Sequence, residues 1–265
     1  MKQTLFDISL EDYTKRKCIQ ETNQTSFKEQ FHGARRKLIV YDRTICSHVA
    51  SAGIELGLLT KQQFASFLGL FSKQLYKSFI LTPELYYLDI KFTGFARNKN
   101  YQLYNDLPDG QIFWNVDLSS AYFQIAYRLG YINTKFFDKY MFQDKYKSVK
   151  RLCVSFLGRS NKMVYNNEIG NYEINCDTTI LRQVYANVRN ELYTIIKNIS
   201  EHTEYIEYNI DGITILPADK QLVKDYFQSL GLEFASSMCT KISDRQYKQG
   251  TQIKNFRKPL TNKNK

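Results

Sequence analysis

Asp117 and Asp211 are the acids whose surroundings best suit shared chemistry. Asp117 follows a short β-like run over residues 111–116. Asp211 stands at an Asp-Gly step between β-like runs at 205–210 and 213–216. A carboxylate at a strand end can meet one in a hairpin turn if the strands are neighbours. Two such groups can hold a pair of divalent ions about 4 Å apart, which activate a hydroxyl and steady a leaving pyrophosphate. Mg2+ suits that task because it takes oxygen ligands and binds phosphate, and Mn2+ can substitute. Lys147, Lys150 and Arg151 stand at i, i+3 and i+4, so a helix would put them on one face able to grip a triphosphate. Each has an ordinary alternative: a helix cap for Asp117, a turn for Asp211, a solvated basic face for the helix.

The elements that must position these groups are legible in outline. Residues 45–80 read as two helices, with Phe64, Phe67, Leu68, Phe71 and Leu75 at helical spacing, and Thr82-Pro83 ends them. Residues 85–95 look strand-like. After Asp117, Ser119 can cap a helix from Ser120 to about Leu129, with Gly130 as its stop. A second helix is expected over 144–157. Asp177 can cap a long one with an apolar stripe of Ile180, Leu181, Val184, Tyr185, Val188, Leu192, Ile195 and Ile196. The Asp211-Gly212 step predicts a β-hairpin, and 222–230 a further helix. The expected fold class is α+β: an antiparallel sheet covered on one face by helices.

Three segments carry a resemblance to family B DNA polymerases. Asp117, Ser120 and Tyr122 in D-L-S-S-A-Y match motif A, with Phe123 where Pro is common. Lys150, Ser155 and Gly158 in K-R-L-C-V-S-F-L-G match motif B, with Val154 for Asn and Leu157 for Tyr. I-E-Y-N-I-D-G-I resembles motif C: Asp211 matches its second acid, Asn209 stands for the first and Gly212 for the following Ser. Arg245-Gln246-Tyr247 resembles a K-x-Y element that holds primer-template, and Phe31 to Ala34 faintly a Y-x-G-G/A element. The resemblance covers roughly residues 111–250. It implies an exonuclease-less, protein-primed-like palm over 111–250 with small helical fingers at about 131–160, after an N-terminal region (1–110) and before a basic tail (251–265). It further implies two Mg2+ ions on Asp117, Asp211 and the Leu118 carbonyl. Ser120, Tyr122, Lys147, Lys150, Arg151 and Ser155 would bind nucleotide, and Arg245, Tyr247 and Lys248 nucleic acid. Tyr122 would exclude a 2′-hydroxyl, or simply join the core. Partners would be DNA, deoxynucleoside triphosphates and, in some settings, a second subunit.

Two rival readings use the same residues. V-D-L-S-S-A-Y-F-Q-I also resembles the first acidic motif of reverse transcriptases, which copy an RNA template. The tyrosine-x-Asp-Asp signature of those enzymes is absent, since Gly212 follows Asp211. A palm lacking one acid could instead serve as a nucleic-acid-binding replication accessory. An unrelated basic interaction protein is the plainest alternative.

The bulk numbers fit these readings. The chain has 265 residues, 43% of them hydrophobic, enough for a real core. Its net charge of +11 favours a polyanionic partner. Five scattered cysteines argue for reduced thiols, and three histidines without ligand spacing argue against structural zinc. Acids follow the N-terminus too early for a signal peptide, and no apolar run reaches the ~20 residues of a membrane span. A cytoplasmic site, in a bacterial host if phage-encoded, and no membrane contact are therefore expected.

Overall fold

The structure, a computed structural model, describes residue 45 and residues 58–86, 98–158, 162–166, 171–175 and 179–256. The expected first helix of the 45–80 pair, the Asp177 cap and most of the basic tail lie outside the described residues. Seven α-helices are described: α1 (Lys61–Leu81), α2 (Tyr101–Asp106), α3 (Ala121–Arg128), α4 (Thr134–Met141), α5 (Lys147–Leu157), α6 (Thr179–Ser200) and α7 (Lys220–Ser229). The strands are β1 (Asn98–Lys99), β2 (Ile112–Leu118), β3 (Lys162–Asn166), β4 (Asn171–Asn175), β5 (Tyr205–Tyr208), β6 (Gly212–Ile215), β7 (Phe234–Ser243), β8 (Gln246–Gln249) and β9 (Gln252–Asn255). The protein is a mixed helix and antiparallel-sheet fold, as its α+β patterning predicts.

Two compact units divide it: Met1–Phe92 with Tyr122–Asn190, and Thr93–Ala121 with Glu191–Lys265. The first is mostly helical. Thr60 opens α1 with a capping box, its hydroxyl accepting from Gln63 N while the Gln63 side chain accepts from Thr60 N. The apolar stripe of α1 is buried as its spacing predicts. Phe67 sits in an aromatic cluster, its ring centroid 6.4 Å from Phe123, 5.6 Å from Phe136, 4.9 Å from Tyr140 and 5.4 Å from Tyr146. Residues 85 and 86, expected to begin a strand, close a 3-10 turn (Pro83–Tyr86) instead. The short hairpin β3–β4 completes this unit.

The second unit is one antiparallel sheet in the order β1-β5-β6-β2-β7-β8-β9. Its centre is β2, paired Asp117 with Gly212 on β6 and Asp117 with Ala235 on β7. Alternation along β2 sends Phe113, Asn115 and Asp117 to one face and Trp114, Val116 and Leu118 to the other. The second face is apolar and carries α7, whose Val223 and Phe227 are buried, with Phe227 5.8 Å from Phe234. The first face is concave. The sheet curls until its two edges approach: Lys99 Nζ of β1 lies 4.6 Å over the ring of Phe256, which follows β9. One end of the trough is plugged by Tyr104, Phe113, Ile206, Cys239 and Phe256. Tyr104 stacks on Phe256 at 3.9 Å. The other end is polar. Strands β7 to β9 form a three-strand extension that hydrophobic alternation alone did not predict. Residues 252–255, expected to open a basic tail, form the edge strand β9.

Candidate active site

Asp117 and Asp211 stand at adjoining strand ends. The Leu118 amide donates to the Asp211 carbonyl at 2.7 Å, and Asn209 N donates to Gly212 O at 2.8 Å to close the hairpin. The turn centres on Ile210 and Asp211, and β6 begins at Gly212. The Asp-Gly step therefore marks the hairpin, but not because Gly212 needs a left-handed backbone; its φ lies outside that region. Space is the reason. A Cβ at 212 would overlap the Asp117 carboxylate and lie 2.9 Å from the Val116 carbonyl.

Asp117 is oriented by a chain of hydrogen bonds across two strands, β2 and β6. Its Oδ2 accepts from Asn115 Nδ2, and Asn115 Oδ1 accepts from Thr214 Oγ1 at 2.9 Å. Asn115 and Thr214 are both buried, so the hydroxyl fixes the amide and the amide fixes the carboxylate. Burial pushes the Asp117 carboxyl above the usual range. The Asn115 bond opposes this, the Asp211 charge adds to it, Lys254 opposes it and Glu207 adds to it. Asp211 itself is exposed at the turn.

Beside Asp117 lies an open cavity of about 240 Å³. Asp117, Asn115 and Thr214 form its middle. Glu207, Asn209 and Lys99 line one side, and Tyr247, Lys254 and Asn255 the other. Glu207 is 6% exposed and pairs with Lys99 at 3.3 Å. Sequence reasoning missed Glu207, Lys99 and the contribution of Lys254. Glu207 could have been found from strand periodicity, since it precedes Asn209 by two in a β-run and so shares its face.

Oxygen donors dominate this wall, which suits a hard divalent cation. Among the described residues no three His, Cys, Asp or Glu side chains gather into one group. A cation here would thus draw on two acids and amide oxygens, with the ammonium groups of Lys99 and Lys254 as the resident positive charges.

The other expected site residues separate into distinct settings. Ser120 sits in the turn after β2 at φ 50°, a left-handed conformation that costs energy for a residue with a side chain. The helix begins one residue later than expected, at Ala121, and Ser119 N donates to Glu233 O at 2.9 Å. Tyr247 faces the concave side, 5.4 Å from Phe113. Arg245 and Lys248 are exposed, and strand alternation turns Lys248 away from Tyr247, so the three do not form one surface.

In the helical unit, Lys147 and Arg151 are exposed on α5, but Lys150 is 2% exposed. The expectation of three cations on one open face is corrected here. Lys150 Nζ donates to the carbonyls of Tyr140 at 3.1 Å and Met141 at 2.5 Å, capping α4, and lies 5.8 Å from the Phe123 ring. Burial pushes its pKa down, Asp144 opposes this and Lys147 adds to it. Ser155 Oγ donates to Leu152 O of its own helix at 3.2 Å. Tyr122 stacks parallel to Tyr185 at 6.1 Å and its hydroxyl accepts from Arg189 Nη1 at 3.1 Å. Gly158, the last residue of the expected motif B, lies against Tyr185 so closely that a Cβ would enter the ring.

No family model and no curated protein matches this chain. Among the described residues no helix is long and apolar enough to cross a membrane.

Proposed function

We propose that this chain is a nucleotidyltransferase that adds deoxynucleotides to a 3′ end, built like the palm of a minimal family B DNA polymerase. One observation carries the reading. Asp117 and Asp211 stand at adjoining strand ends, tied by the 2.7 Å bond from Leu118 to Asp211, next to a cavity lined with oxygen donors. Asp117 and Asp211, with the Leu118 carbonyl, would hold the magnesium. When bound, that metal would activate the 3′-hydroxyl and neutralise charge on the leaving pyrophosphate. Asn115 and Thr214 keep the Asp117 carboxylate aimed while it waits for the ion.

The remaining roles are part of the same proposal. Lys147 and Arg151, exposed one turn apart on α5, would contact the triphosphate. Lys150, already bound to two carbonyls, is left out of that role. Tyr122, held by Arg189 and Tyr185, would lie against the sugar. Arg245 and Lys248 would meet nucleic-acid phosphates, and a chain of net charge +11 would bind them with steep salt dependence.

A second reading is favoured by one feature. Lys99 and Lys254 stand in the Asp117 cavity as built-in positive charge, which suits a nucleic-acid-binding palm that has lost catalysis. Primer extension in magnesium separates the two. The wild type is expected to incorporate nucleotides, and Asp117→Ala and Asp211→Ala to lose incorporation while still binding primer-template. Equal incorporation by all three proteins overturns the polymerase reading. Binding without magnesium and without incorporation supports the accessory role.

A further inference from the structure

The convex face of the sheet is only partly covered. The second half of α6 brings Tyr193 and Lys197 beside Tyr208 of β5. Helix α7 lies over β2 and the start of β7, with Lys220 Nζ 3.0 Å above the Trp114 ring and Phe227 5.8 Å from Phe234. From Met238 onward along β7, and across β8 and β9, this face is open. Met238 is 51% exposed and Ile253 62%. Register sets what the open part displays. Ile112, Thr240, Lys248 and Ile253 stand in one row across β2, β7, β8 and β9, and Met238 precedes Thr240 by two on the same side. Exposed aliphatic side chains gathered on one face, rather than scattered singly, are the mark of a contact surface.

Charge and width narrow the occupant. Lys248 stands within the aliphatic row and Lys220 at its border. The acids at that end of the sheet, Asp109 and Asp244, lie 4.0 and 2.9 Å from Lys241 Nζ, whose side chain is buried on the concave side. The open face is therefore apolar with positive charge. From β7 to β9 is two strand spacings, about 10 Å, which matches the width of one α-helix. Helix α7 already packs on the adjoining part of the same face, so a second helix beside it would continue the same layer.

We propose that the open β7–β9 part of the convex face docks an amphipathic helix of a partner protein. Its apolar stripe would lie on Ile112, Met238 and Ile253, and its carboxylates beside Lys248 and Lys220. A second copy fits poorly, because it would bring two sets of these lysines and two chains of net charge +11 together with no acid on the row to answer them. A nucleic-acid strand seats its bases on flat rings, and the aromatic side chain at this border, Trp114, already carries Lys220. Lys248 serves one polyanion at a time, so a seated helix takes it from the phosphates it would otherwise meet. The inference goes beyond the polymerase reading and does not depend on it.

The probe is a fluorescein-labelled synthetic peptide of about 15 residues, roughly 22 Å long as a helix, with Leu at i, i+3, i+4 and i+7 and Glu on both flanks. One control has the same composition in scrambled order, and the other has Lys in place of Glu. Anisotropy with the full chain reports binding. The emission of Trp114, the one tryptophan in the chain, reports with unlabelled peptide that this face is the one occupied. The wild type is expected to bind the Glu-flanked peptide and neither control. Ile253→Ser and Met238→Ser should each weaken that binding by about tenfold. Lys248→Glu should weaken it as much and allow the Lys-flanked peptide to bind. Circular dichroism verifies that the variants are folded. No binding of the Glu-flanked peptide, equal binding of the scrambled one, or an affinity indifferent to all three substitutions overturns the proposal. A dimer in sedimentation that Ile253→Ser dissolves also overturns it, since the face then belongs to a second copy. So does a thymidine oligonucleotide whose binding Ile253→Ser abolishes, since it then belongs to nucleic acid. Neither incorporation nor its absence in primer extension bears on these readouts.

Discussion

A methyl group at position 212 has nowhere to go. Its carbon would overlap the Asp117 carboxylate and press on the Val116 carbonyl at 2.9 Å, and the backbone of β2 cannot retreat because β6 and β7 hold it from both sides. The side chain of Asp117 would have to rotate off its bond from Asn115. Gly212→Ala is therefore expected to cost about 1–3 kcal/mol in a urea titration, in the range of overpacked sites. It should also lower incorporation in primer extension, because it displaces the Asp117 carboxylate. A variant with full stability and full incorporation would show that the carboxylate can move freely. The same crowding explains why an Asp-Gly step marks this hairpin although its glycine does not use a left-handed backbone.

At the scale of elements, α5 and α6 carry the clearest packing constraint. Gly158, just after α5, lies flat on Tyr185 of α6, and Tyr185 in turn stacks on Tyr122 and accepts from Arg189 Nη1 at 3.2 Å. One glycine therefore sets the distance between two helices and the pose of Tyr122. Gly158→Ala must push the Tyr185 ring aside. A loss of about 1–3 kcal/mol of unfolding free energy in a urea titration is expected, together with a changed near-ultraviolet dichroism from the displaced tyrosine stack. Unaltered dichroism would mean that the ring pair tolerates separation. Lys150 belongs to this scale too. On α5 it looks like a surface lysine by composition, but the carbonyls at the end of α4 draw it inward.

The whole molecule responds to alkali through its tyrosines. Burial raises the phenols of Tyr86, Tyr104, Tyr131 and Tyr247 well above their ordinary 10.0, and pushes Tyr122 up to about 12. Below pH 10 both folded and unfolded chains keep these protons, so the contribution is constant. Above it the unfolded chain gives up protons that the folded chain retains, and stability falls as pH rises. Lys150 and Lys220, whose pKa values are lowered in the fold, act in the opposite sense over part of this range, but the phenols outnumber them. Between pH 10 and 12 the midpoint of urea unfolding should fall steadily. The last part of the rise in tyrosinate absorbance should come together with the loss of helical dichroism rather than ahead of it. Full phenol ionisation in a still-folded protein would contradict the burial of these rings.

Much of the secondary structure follows from local pattern. The run before Asp117 became β2, the stripe from Leu181 to Ile196 became α6, and the Asp-Gly step lies at the β5–β6 hairpin, because side-chain periodicity and turn chemistry act within a few residues. The sheet order, its curl, and the meeting of Glu207, Asp117, Lys99 and Lys254 around one cavity come from pairing between residues as distant in the chain as Ile112 and Thr240. No local pattern encodes that. A strand's alternation says which side chains share a face, but only the neighbouring strands decide what that face looks upon. For the same reason Lys150 reads as surface in the chain and is core in the fold, and Asn209 draws attention in the sequence while the buried carboxylate on that face belongs to Glu207.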